Sequence, residues 1–80
     1  MTTDDVRTSV HEVLALVLRL PALPQAPVAR ADTPGWDSLS HVEIIYGVEE
    51  SLGVTFTEHE LAALDSSTAI VEAVERHRAA

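Results

Sequence analysis

Eighty residues make one domain, residues 1–80, and a chain this short buries only about 60% of the surface its unfolded form exposes, which excludes a large internal active site. Thirteen acidic against five basic side chains give a net charge of -8, which repels nucleic acid and anionic membrane and attracts basic protein surfaces. The lack of cysteine excludes a disulfide framework, a thiolate metal site and a catalytic thiol, so any thioester chemistry needs a sulfur brought by a cofactor.

Near the N-terminus, Asp4 and Asp5 stand where a secretory signal carries basic residues, and the apolar stretch 13–23 is interrupted by Arg19 and too short to span a bilayer. A cytoplasmic protein is the expectation. Met1 directly before a first helix favours a free-standing protein over a domain cut from a longer chain. From residue 4 to about residue 20, Val6, Val10, Val13, Leu14, Val17 and Leu18 recur at helical spacing; Thr3 is the expected cap, and Asp4 and Asp5 suit the positive end of the helix dipole. All four prolines, Pro21, Pro24, Pro27 and Pro34, fall in the next fourteen residues, which predicts a long loop packed over the bundle.

A second helix is predicted from Ser38 to Leu52, stopped by Gly53. A third is short: Thr57 and Glu60 suit a capping box, Phe56 and Leu61 suit a hydrophobic staple, and the helix should end near Leu64. The last helix is expected after Thr68 as N-cap, burying Ile70, Val71 and Val74, with Arg76, His77 and Arg78 in its final turn opposing the negative end of the dipole. The 53–56 stretch is β-prone but too short to build a sheet. The fold class is therefore all-α, a small bundle of three principal helices and one short one.

At about 100° per residue, the second helix carries two apolar groups. Ile44, Ile45, Val48 and Leu52 form one arc, the natural core face. Leu39, Val42 and Tyr46 form another, interleaved with Glu43, Glu49 and Glu50. The pattern alone admits two outcomes for the second arc: burial against a neighbour, with the glutamates snorkelling out, or a docking face ringed by carboxylates.

At the head of this helix stands Gly35-Trp36-Asp37-Ser38-Leu39. A serine hydroxyl is a poor nucleophile unless a base takes its proton. His41 lies three residues on, but the strained Gly-x-Ser-x-Gly elbow is absent and the chain is too small for an enclosed pocket with an oxyanion hole. An enzyme is not expected, and no catalytic residues are assigned. His11, His41, His59 and His77 form no metal-binding spacing, so no metal site is expected either. Asp37 and Ser38 taken alone are also what an ordinary N-cap pair looks like.

Taken with residues 35–54, the short capped helix and Ser67-Thr68-Ala69-Ile70-Val71, the segment resembles the acyl carrier proteins, whose serine in Asp-Ser-Leu bears 4′-phosphopantetheine. The match covers most of the chain; helix one matches only in length and amphipathicity. The resemblance implies that Ser38 is the attachment point, loaded by a separate phosphopantetheinyl transferase from coenzyme A, and that the attached phosphodiester would sit at the positive end of a helix dipole. It implies that Asp37 caps the helix or helps hold a metal ion in the transferase complex. It also implies that Leu39, Val42, Glu43, Tyr46, Glu49 and Glu50 meet the basic surfaces of acyl-loading and acyl-processing enzymes, and that the carrier is a monomer. Trp36, His41 and Tyr46 depart from the fatty-acid pattern and point to polyketide or related secondary metabolism. Trp36 is expected to anchor the loop, and His41 to be structural or to contact the prosthetic phosphate or the loop. A peptidyl or aminoacyl carrier more often has Gly-Gly-x-Ser-Leu, against which Asp37 argues; an unmodified helical adaptor is the rival of another class.

Overall fold

A computed structural model describes residues 2–79, in which four α-helices and one 3₁₀ turn are joined by loops and no β-strand occurs. Helix α1 spans Thr3–Leu18, the 3₁₀ turn Arg30–Asp32, α2 Ser38–Leu52, α3 Glu58–Leu61 and α4 Ser67–Ala79. Helix α1 packs against both α2 and α4. The core they share takes Val10 and Leu14 from α1, Ile44 and Val48 from α2, Ile70 and Val74 from α4, and Leu64 from the connection after α3.

The cap of α1 is Thr2 and not Thr3. The Thr2 hydroxyl accepts from the Asp5 amide and the Asp5 carboxylate accepts from the Thr2 amide, a reciprocal box that satisfies two otherwise free donors. The helix closes at Leu18, two residues earlier than expected. Arg19 takes the left-handed conformation at φ 55° and the Leu20 amide bonds back to the Ala15 carbonyl, after which Pro21 cannot continue the helix.

The loop that follows is fastened at defined points. The Pro24 carbonyl accepts from His11 Nδ1 at 3.1 Å, which satisfies one nitrogen of this buried imidazole and leaves Nε2 buried without a hydrogen-bond partner. Val28 exchanges two hydrogen bonds with Ser67: its amide donates to the Ser67 hydroxyl at 2.8 Å and its carbonyl accepts from the Ser67 amide at 2.7 Å. The Arg30 amide donates to the Asp65 carbonyl. This double clasp corrects the expected start of α4. With Ser67 committed to the loop, Ser66 serves as the cap, its hydroxyl accepting from the Ala69 amide at 3.1 Å, and Thr68 lies exposed inside the helix.

Two further expectations fail for the same kind of reason, a partner distant in sequence. The capping box of α3 does not form: the Thr57 hydroxyl takes no backbone amide and instead donates to Glu60 Oε1 at 3.2 Å. The Glu60 carboxylate is drawn toward α4, where His77 Nε2 lies 2.9 Å from both its oxygens, and α3 stops at Leu61. One residue further along α4 Arg78 caps α2, donating from Nη2 to the Leu52 carbonyl at 2.9 Å, so this cation serves a neighbour's C-terminus as well as its own.

One close approach sets the α1–α2 distance. A Cβ added to Gly47 would lie 2.8 Å from Val13 Cγ1, a separation real side chains do not adopt. Gly47 is on α2 because α1 passes there.

Candidate functional site

Ser38 is the first residue of α2, and its hydroxyl is exposed. Asp37 precedes it as N-cap in extended backbone conformation, with Oδ1 accepting from the Ser40 amide at 2.9 Å. Hydrogen bonds from Ser40, through its backbone first and its side chain second, hold the Asp37 carboxyl below the usual carboxylate range. Asp37 is thus an exposed, ionised group beside the serine. On the loop side, a Cβ built on Gly35 meets nothing within 4 Å, so the chain three residues before Ser38 borders open space. An exposed serine at the positive end of a helix dipole fits a covalently attached phosphodiester arm.

His41 does not act on Ser38. Its Nδ1 accepts from Trp36 Nε1 at 2.9 Å and its Nε2 donates to the Leu61 carbonyl at 2.8 Å, so both ring nitrogens are taken and the imidazole is buried. Because a carbonyl accepts only and an indole N–H donates only, this geometry fixes the neutral Nε2–H form. Trp36 is buried at 3% exposure, as an anchor should be, with its ring edge to edge with His41 at a centroid distance of 6.0 Å and an interplanar angle of 26°.

The second arc of α2 is not covered. Leu39, Val42 and Tyr46 are 71%, 64% and 63% exposed, whereas Ile44, Ile45, Val48 and Leu52 are buried, so the second arc is not buried against a neighbour. Glu43 and Glu50 are exposed beside the apolar trio. Glu50 raises the Tyr46 phenol above its ordinary value, first by a side-chain hydrogen bond and then by its charge, and so ties these two surface groups together. Glu49 is different. Its carboxylate accepts from the Phe56 amide at 2.8 Å and is half-buried, so it fastens the segment after α2 instead of standing free on the surface.

Between α2 and α3 runs an apolar cleft of about 230 Å³, lined by His41, Val42, Ile45, Tyr46, Phe56 and Leu61 among others, which no spacing in the sequence indicated. It became visible only when α3 was placed. The described residues hold no cluster of three or more histidine or acidic groups able to bind a metal, and no helix long and apolar enough to cross a membrane. No protein-family model, no curated protein and no solved structure matches the chain.

Proposed function

We propose that this protein is an acyl carrier protein, with Ser38 as the attachment point of 4′-phosphopantetheine. The observation that carries the reading is an exposed serine hydroxyl at the head of α2, capped by an ionised Asp37, whose nearest histidine has both nitrogens engaged elsewhere. A serine so placed lacks its own base and is suited to modification by an outside enzyme. The resemblance of residues 35–54 to the carriers adds the chemical identity of the modification.

In the loading step Ser38 Oγ attacks the coenzyme A phosphorus that bears the pantetheine oxygen. The P–O bond to adenosine 3′,5′-bisphosphate breaks, its electron pair leaves with that product, and the serine proton passes to a base of the phosphopantetheinyl transferase. The resemblance to the carriers gives Asp37 a second role, helping to hold the transferase's metal ion. The bound arm supplies the thiol that carries acyl groups as thioesters, chemistry this cysteine-free chain cannot supply itself. Leu39, Val42, Glu43, Tyr46 and Glu50 form the surface that meets basic partner enzymes, with hydrophobic contact at the centre and carboxylates for orientation. Each exposed ion pair there contributes about 0.2–1 kcal/mol, weak enough for partners to exchange. The protein itself catalyses nothing, and the departures at Trp36, His41 and Tyr46 favour polyketide or related secondary metabolism over bulk fatty-acid synthesis.

The test is incubation with coenzyme A, Mg²⁺ and a broad-specificity transferase, followed by intact mass measurement. Wild type should gain one phosphopantetheine and Ser38→Ala none. A wild type that stays unmodified overturns the carrier reading and leaves an unmodified adaptor, whose exposed apolar trio is its binding surface.

A further inference from the structure

Resting on the carrier reading, we propose that Trp36 and His41 are positioning residues for group transfer onto Ser38, acting through a single hydrogen bond that fixes the backbone leading into the serine. Trp36 lies two residues before Ser38 and His41 three after, and the indole N–H to Nδ1 bond of 2.9 Å closes a ring around the serine from both sides. The Trp36 backbone is held as well. Its amide donates to the Thr33 carbonyl at 2.9 Å and its carbonyl accepts from Arg30 Nε at 3.2 Å. On the helical side the His41 amide donates to the Asp37 carbonyl at 2.8 Å. The first closed turn of α2, from the Asp37 carbonyl to the His41 amide, therefore begins directly after a clamped residue and contains Ser38.

This arrangement reconciles two demands on one residue. The attachment oxygen must be exposed to an outside enzyme, and exposure usually comes with mobility. Here the serine side chain is free while its flanks are held by buried groups, so the oxygen is offered in a defined place. The second ring nitrogen, on the Leu61 carbonyl, holds the imidazole against the last residue of α3 and so orients the acceptor nitrogen. The exposed side chains of Leu39, Val42 and Tyr46 take no part in this ring. Docking and presentation are thereby carried by different groups, and kinetics can separate them.

The experiment measures kcat and the KM for the carrier in transferase loading for four variants of the full chain, each first shown folded by circular dichroism. Trp36→Phe keeps an aromatic ring and deletes the donor. His41→Gln places an amide nitrogen toward Leu61 and leaves no acceptor at the Nδ1 position, whereas His41→Asn places Oδ1 close to that position and restores an acceptor for the indole. Val6→Ala is the control: it opens the core at the far end of the bundle, where α1 begins beside α4 and Arg78 reaches the end of α2.

The expected result is a fall in kcat of about tenfold or more for Trp36→Phe and His41→Gln, because misplacing a reacting atom by about 1 Å can cost up to about 100-fold. KM should stay within about twofold, and His41→Asn should recover most of the lost kcat. In the wild type, ¹⁵N spectra should show His41 Nδ1 bare and Nε2 protonated. The proposal is overturned if kcat is unchanged in Trp36→Phe and His41→Gln, if His41→Asn is as slow as His41→Gln, or if Val6→Ala slows loading equally. A wild type that does not load at all sinks the carrier reading, and this proposal with it.

Discussion

Glu49 lies on the outward-reading arc of α2, yet its carboxylate is spent on the amide of Phe56, seven residues on. Truncation leaves a partly buried N–H without a partner, which costs about 1–3 kcal/mol, whereas an exposed neighbour such as Glu43 costs no more than about 0.5 kcal/mol. Urea unfolding should therefore show a lower midpoint for Glu49→Ala and almost none of that shift for Glu43→Ala. Glu60 gives a second residue-scale expectation. The hydrogen bond from His77, aided by the Thr57 backbone, lowers its carboxyl in the folded state. A group whose folded value is depressed adds stability above its unfolded value and loses it as pH falls through the folded one. Stability should thus drop with acidification below about the ordinary carboxyl value of 4.5, and Glu60→Gln should flatten part of that acid limb in thermal melts recorded across pH.

At the scale of elements, the α1–α2 contact depends on Gly47 having no side chain. Gly47→Ala gains up to about 1 kcal/mol of helix propensity but forces a methyl group into Val13, and such overpacking costs about 1–3 kcal/mol. A lower melting temperature is expected, recoverable in the double variant with Val13→Ala, where the obstructing methyls are gone. What could be read from the sequence follows the range of the interactions involved. Helix α2 was legible from end to end because its signals are local: Asp37 caps it and Gly53 ends it at φ 65°. The core arc and the exposed arc were legible because a 3.6-residue period separates them. The start of α4 and the cap of α3 were not, since Val28 claims Ser67 across 39 positions and His77 claims Glu60 across 17. For the site, the placement of Ser38 and Asp37 followed from adjacent residues. The engagement of His41 required Leu61, twenty residues away, to be in position.

The whole molecule carries -8 charges on 80 residues, a field that reaches basic proteins before contact is made. Screening shortens that reach to about 8 Å at physiological ionic strength. Transferase loading should slow as salt rises, and Glu43→Lys with Glu50→Lys should slow it at low salt while making it less salt-sensitive. Rates that ignore both changes would remove electrostatic steering from the account of that partner.

Trp36 is the sole tryptophan in the chain, and its buried ring lies against His41 two positions from Ser38. Light absorbed near the red edge of the protein spectrum is therefore taken up by one chromophore at one address. Changes in its emission colour or lifetime register solvent reaching that corner of the bundle, with no other indole to dilute the signal. Unfolding at the serine's threshold and unfolding of the bundle as a whole become separately observable without attaching a dye.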